Sequence, residues 1–296
     1  MDHPRTIIGL GEALYDVFPD QMRPGGAPLN LAVHAHQLGN RGVVVSRIGE
    51  DALGHQLLDD LRQRDMPTDH VQVDPDRATG TVLVQLDPAG EPTYDIVAHV
   101  AWDNLQWDPQ MESLAAHADA VCFGSLAQRD GQTRNTIYRF LSSARRAVRL
   151  FDVNLRQHYH DRRSLDRSLE LATAAKLNQD ELNTLAVTFA CNGSTDEIAE
   201  QLRAQFNLEF LALTRGPDGA AVFTDAQKFE SLPVSAAPGG NAVGAGDAAA
   251  AALLHGRLRN WDWPRTLTLA NTLGAHVAAA DGACPELTDT IRYLAG

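Results

Sequence analysis

The sequence predicts an α/β protein with a three-layer α/β/α arrangement: a mostly parallel central sheet, helices on both faces and a small β lid. Three observations carry that prediction. Short apolar runs alternate with helical stretches along most of the chain, which is the pattern of parallel strands joined by crossover helices. Two places break the rhythm with strand pairs that have no helix between them. The 296 residues, 44% hydrophobic and 21% charged, suffice to bury a full core without disulfides or a structural metal.

Taken in order, residues 6–10 read as a strand that ends on Gly11, and residues 29–38 as a helix that stops at Gly39. Residues 43–47 form a strand. Residues 51–64 form an amphipathic helix with Leu53, Leu57, Leu58 and Leu61 on one side. Residues 80–87 and 93–97 read as a hairpin closed by Pro88-Ala89-Gly90-Glu91-Pro92, which leaves the main sheet as a flap. The rhythm resumes with a strand at 120–123, a helix at 133–145 and a strand at 148–153. A strand at 176–178 leads into a helix from Asp180, and residues 210–214 form another strand. Residues 219–224 and 229–234 read as a second hairpin. No linker, repeat or charge block intervenes, so one domain spans residues 1–296, with lid strands around 12–24 and 80–101.

The formal charge is −13, which argues against nucleic acid as a partner of the surface as a whole. Such a chain still binds a phosphate-bearing ligand if a few amides, a cation and a metal ion offset the charge locally. Cys122, Cys191 and Cys284 are far apart and form no CxxC pair, which fits a reducing compartment. The apolar run after Arg5 is broken by Glu12 and Asp16, so no secretory leader is expected. No stretch reaches the ~20 apolar residues needed to span a bilayer. A cytoplasmic protein without membrane contact is the expectation.

The chemistry concentrates in Asn241-Ala242-Val243-Gly244-Ala245-Gly246-Asp247, followed by the alanine-rich residues 248–254. Small residues let backbone amides approach a ligand, and the alanines form a helix whose N-terminus attracts an anion. Asp247 there can accept a proton from an attacking hydroxyl. Taken alone, it serves equally well as the helix N-cap.

This segment resembles the GAGD signature of ribokinase-like (PfkB) carbohydrate kinases, and further segments match the family in order. Gly25-Gly26-Ala27-Pro28-Leu29-Asn30 is similar to its sugar-binding segment, and Gly11-Glu12-Ala13-Leu14-Tyr15-Asp16 to its first strand end. Gly49-Glu50-Asp51-Ala52-Leu53-Gly54 matches a structural turn, and Asp152-Val153-Asn154-Leu155-Arg156 the D-x-N-x-R strand end. Asn178-Gln179-Asp180-Glu181 fits N-x-x-E, and Thr214-Arg215-Gly216-Pro217-Asp218-Gly219 the nucleotide loop. The resemblance implies an ATP-dependent sugar kinase with Asp247 as base and Gly244, Ala245, Gly246 and Asp247 as anion hole. It assigns Asp16, Gly25, Gly26, Asn30 and Asn154 to the sugar, and Arg156 to phosphate or sugar oxygens. Asn178, Thr214, Gly216, Gly219 and Asn271 fall to ATP, and Glu181 to Mg²⁺ through water. Gly124-Ser125-Leu126 and Trp102-Asp103 look most like bacterial fructokinases. Fructose is therefore the favoured acceptor, with ribose, ketodeoxygluconate and nucleosides remaining open.

The chain also departs from the family pattern. Asn241 and Ala242 stand where Asp-Thr is usual, and Ala249 where Phe is common. A carboxylate is a better cation ligand than an amide, so weak or absent activation by K⁺ is expected. The departures keep a second reading open, a sugar or nucleotide sensor without turnover. A dinucleotide-dependent oxidoreductase fits poorly, because Gly9-Leu10-Gly11 lacks the third glycine of G-x-G-x-x-G. His158 and His160 have no evident partner ligand for metal-dependent hydrolysis. The lid offers an edge through which two copies can pair.

Overall fold

The computed structural model describes residues 3–86, 92–232 and 243–296. The expected turn at 88–91, and Asn241 and Ala242 with the cation expectation built on them, lie outside the described residues.

Strand β1 (Thr6–Leu10) is followed by two short strands of a second sheet, β2 (Leu14–Val17) and β3 (Met22–Gly25). Helix α1 (Ala27–Gln37), strand β4 (Arg41–Gly49), helix α2 (Ala52–Gln63) and strand β5 (Val71–Asp74) come next. Strands β6 (Gly80–Leu86) and β7 (Pro92–Ile96) return to the second sheet. Then come α3 (Pro109–His117), β8 (Ala120–Gly124), α4 (Gly131–Ser143) and β9 (Val148–Asp152). They lead to α5 (Arg162–Leu171), β10 (Ala174–Asn178), α6 (Gln179–Phe189) and α7 (Thr195–Gln205). β11 (Phe210–Thr214), β12 (Ala220–Thr224) and β13 (Lys228–Glu230) precede three helices. These are α8 (Ala245–Leu258), α9 (Trp263–Ala279) and α10 (Asp289–Ala295).

The main sheet has nine strands in the order β13-β12-β11-β10-β9-β8-β1-β4-β5. From β11 to β5 every pair is parallel, while β12 and β13 add an antiparallel edge. The four-stranded second sheet runs β3-β2-β6-β7. Successive strand residues face opposite layers: Ile8, Val121 and Phe123 pack toward α3 to α7, whereas Ile7, Ala120 and Cys122 pack toward α1, α8 and α9. A third cluster joins Leu29 and Val33 of α1 to Leu57, Leu58 and Leu61 of α2. Leu53, read on the same side, packs there only in part.

The first hairpin forms where it is expected, β6 with β7; the second pairs β12 with β13, a shorter strand than the expected 229–234, of which 233 and 234 lie outside the described residues. The pattern gives no strand at β5 and no helix at α5, yet both exist. β5 is a four-residue edge strand, and α5 buries only Leu165, Ser168 and Leu169 among charged neighbours. The turn at Asp51 is structural, as expected: its carboxylate accepts from the Gly54 amide and from the amide and hydroxyl of Thr79. Gly9 belongs to packing. A Cβ there would lie 1.8 Å from the Pro28 carbonyl oxygen, so only glycine lets α1 lie directly on β1. Among the described residues no helix is long and apolar enough to cross a membrane.

Candidate active site

Parallel strands end together, and their carboxyl ends open on a cleft of 890 Å³, the usual place for a ligand in such a sheet. Glu12 follows β1, Leu126 follows β8, Asp152 ends β9 with Asn154 just beyond it, Lys176 lies within β10 and Asn178 ends it, and Thr214 ends β11. Leu14, Asp16, Val82 and Ile96 of the second sheet form the facing wall, which is where a lid would sit. Gly244, Gly246 and Asp247 enter from the start of α8.

The N-cap of α8 is Gly244, in the left-handed region at φ 84° and with no side-chain cap. A Cβ there would fall 2.7 Å from the Ala283 Cβ, so the loop after α9 and the positive φ both demand glycine. Asp247 is therefore the third helical residue and does not cap the helix. Its Oδ2 accepts a 2.8 Å bond from Asn30 Nδ2. The first-turn amides of Ala245, Gly246 and Asp247 precede any helical carbonyl that could satisfy them. Burial raises the Asp247 carboxyl to about 7; nearby Asp152 adds to the rise, and Asn30, Lys176 and Arg156 oppose it.

Beneath that turn lies a buried ion pair that sequence reasoning did not single out. Lys176 Nζ donates to both Asp152 oxygens, at 2.9 and 3.0 Å. A Cβ on Gly246 would come within 3.2 Å of Nζ, so the ammonium sits directly under the middle of the Gly244-to-Asp247 turn. Burial works against the lysine's charge, yet Asp152, Glu181 and Asp247 outweigh it and hold the ammonium above its usual range. The available signal was a lysine inside an otherwise apolar strand, a position that is rarely charged without a partner. Glu12 was quoted without a role. It is buried in the cleft wall, its carboxyl pushed up to about 7 by desolvation.

The expected sugar residues divide. Asp16, Gly26, Asn30 and Asn154 line the cleft, whereas Gly25 does not; it ends β3 behind the Asp16 carboxylate. Burial lifts Asp16 to about 6 against the pull of Arg156 and Arg23. Arg156 reaches the cleft from an exposed loop, donating to the Leu155 carbonyl. Of the nucleotide residues, Asn178 and Thr214 line the cleft. Gly216 and Gly219 flank a helical turn beyond it. Asn271 instead ties α9 to the segment after β13 through Ser231 Oγ, at 2.6 Å. Trp102 and Asp103, read as a substrate signature, are core residues. The Arg129 guanidinium stacks on the Trp102 ring at 4.0 Å and pairs with Asp103 at 2.8 Å.

Asn178 and Glu181 form a reciprocal cap at the start of α6. The Glu181 oxygens accept from the Asn178 and Leu155 amides, at 2.8 and 3.0 Å. Each oxygen keeps lone-pair capacity for a water. Among the described residues no three His, Cys, Asp or Glu side chains are grouped to hold a metal by themselves.

Residues 10–290 match the model of the pfkB family carbohydrate kinases. A fructokinase of Klebsiella pneumoniae is 33% identical over 302 residues, covering 94% of each chain. The crystal structure of a Xylella fastidiosa fructokinase with bound ATP superposes with a TM-score of 0.86 at 23% identity, covering 98% of this chain and 97% of that one. A Pyrococcus horikoshii sugar kinase in complex with ATP does so at 0.77 and 25% identity, over 95% and 93%.

Proposed function

Because this chain belongs to the pfkB family of carbohydrate kinases, we propose that it transfers the γ-phosphoryl group of ATP to a hydroxyl of fructose, with Asp247 as the base. That it is an ATP-dependent sugar kinase follows from the family; the acceptor and the residue roles are our reading. The observation that carries the roles is the placement of Asp247, inside the cleft and one helical turn from Gly244, with its carboxylate held by Asn30.

In this reading Asp16, Asn30 and Asn154 hold the sugar, and the second sheet closes over it to exclude water. A sugar hydroxyl oxygen bonds to the γ-phosphorus as the bond from that phosphorus to the β–γ bridging oxygen breaks. The hydroxyl proton passes to Asp247, and ADP leaves. The first-turn amides of α8 and the Lys176 ammonium face the growing negative charge, and Arg156 reaches in from its loop. Mg²⁺ would neutralise charge on the ATP phosphates, held through water near Asn178 and Glu181. The outer strands of the lid, β3 and β7, are where a second copy would pair, and the enzyme would work in the cytoplasm.

Fructose rests on the relatives named fructokinase. A coupled ADP-release assay with fructose, ribose, ketodeoxygluconate and adenosine tests it, with fructose expected to lead by roughly tenfold or more in kcat/KM. Replacing a bulky organic cation by K⁺ should change the rate little. Asp247→Ala should lose on the order of 10²-fold or more in kcat while ATP binding persists; near-normal turnover in that variant rules Asp247 out as the base.

A further inference from the structure

Asn30 stands between two side chains from the far end of the sequence. Its Nδ2 donates to Asp247 Oδ2 at 2.8 Å, and its Oδ1 lies 3.4 Å from Cys284 Sγ. An amide carries donors at one terminal atom and acceptors at the other, while an ionised carboxylate only accepts. Turned over, Asn30 would set its oxygen against a carboxylate oxygen. Its orientation is therefore worth fixing, and Asn30 itself is buried.

Cys284 is placed to fix it. Its residue sits in the loop after α9, next to Ala283, which packs on Gly244 and accepts a 2.9 Å bond at its carbonyl from buried His34. The thiol also borders a cavity of 220 Å³ lined by Leu29, Val33, Leu57 and Leu61 together with the charged Arg23, Asp60, Arg64 and Asp281. Both acceptors within reach belong to Asn30, the side-chain oxygen at 3.4 Å and the backbone oxygen at 3.9 Å. Burial pushes the thiol up to about 12, so it remains an S–H donor across the working pH range.

We propose that Cys284 is a positioning residue for the base: its S–H donates to Asn30 Oδ1 and keeps the Asn30 amide turned with its N–H toward Asp247. This rests on the reading of Asp247 as the base. The competing account is that Cys284 only fills space behind α1. The two differ in what should rescue its loss, because a space-filler is replaced by volume and a donor by another donor.

The experiment compares Cys284→Ser, which keeps a donor, with Cys284→Ala and Cys284→Val, which do not; valine restores the volume should alanine fold poorly. Serine is expected to retain most of the turnover. Alanine and valine should lose roughly fivefold to tenfold in kcat, the scale of one modest hydrogen bond, with KM for ATP unchanged. Their acid limb of kcat/KM should move to higher pH, because Asn30 then no longer favours the charged form of Asp247. In an Asn30→Ala background, Cys284→Ala should have no further effect. A carbon-detected NMR titration of the Asp247 carboxyl gives a readout that needs no turnover, and its pKa should rise in alanine and valine but not in serine. Serine tracking alanine in both measurements, or equal effects of Cys284→Ala with and without Asn30, overturns the proposal while leaving Asp247 as the base. A wild-type enzyme that phosphorylates no sugar overturns the function instead, and the titration still decides the role of Cys284.

Discussion

Desolvation raises the Asp247 carboxyl to about 7, and the charges around it then pull in opposite directions: Asp152 raises it further, while Lys176 and Arg156 lower it. Two neighbouring substitutions should therefore move the pH profile in opposite senses. Asp152→Asn removes a negative charge and leaves the Lys176 charge undivided, so the acid limb of kcat/KM should shift to lower pH. Lys176→Met removes the positive charge, and the limb should shift to higher pH. Steady-state rates from pH 5 to 9 check both, and shifts in the same direction would show that the pair acts only on packing. Each single change also leaves the other member of a buried pair unsatisfied, which costs roughly 3–5 kcal/mol; the double variant should recover part of that in denaturant unfolding. At this scale the sequence is legible where a motif names the residue, as for Asp247, Asn30 and Asp16. It is silent where the partner is distant. Asn30 and Asp247 meet across 217 positions, and Cys284 and Asn30 across 254. Nothing in the local pattern of either stretch marks such a pair.

Among the elements, the start of α8 concentrates the design. The helix needs no side-chain cap because Gly244 turns the chain at positive φ, and this leaves its first amides free for a ligand. The glycines nearby are constrained differently. At Gly244 a Cβ meets the backbone and side chain of Ala283, at 2.7–2.8 Å, on a residue that also needs φ 84°. At Gly246 it meets only the tip of Lys176, at 3.2 Å. Gly244→Ala should thus cost on the order of 1–3 kcal/mol in stability, and roughly 10²-fold in kcat as the amides move off the phosphoryl oxygens. Gly246→Ala should leave thermal unfolding nearly unchanged and act through Lys176, mainly on the kinetics of ATP. Melting curves with kinetics on both variants decide it, and equal destabilisation would count against the account. The elements themselves were readable because apolar runs alternate with amphipathic stretches; β5 and α5 were not, since an edge strand and a charge-rich helix bury few side chains.

Over the whole molecule, the parallel sheet gathers charge at one edge. Glu12, Asp16, Asp152, Glu181 and Asp247 share a cleft with Lys176 and Arg156, an excess of carboxylates that the sequence shows only as a net charge of −13. Burial raises Glu12 and Asp247 to about 7 and Asp16 to about 6. The consequence for stability has a definite sign. A carboxyl whose folded pKa exceeds its unfolded value binds more protons in the native state than in the unfolded chain. Its stabilising contribution is complete below the unfolded value, about 4, and is lost as pH rises through 6 to 7. The ionised site at neutral pH therefore opposes folding, a trade expected where activity requires a buried charge. Asp247→Asn, which cannot ionise, should melt at a higher temperature than the wild type at pH 8, by on the order of 5 °C. Below about pH 3 the gap should close, because the wild-type carboxyl is then largely protonated in both states. Lower pH also relieves Glu12, whose carboxyl is raised in part by the charge on Asp247, so the gap should grow steadily between about pH 4 and 7 and then level off. Paired melting curves across that range test the argument; a difference independent of pH would mean that the folded carboxyl is not raised at all, its charge being fully balanced by Lys176 and Asn30.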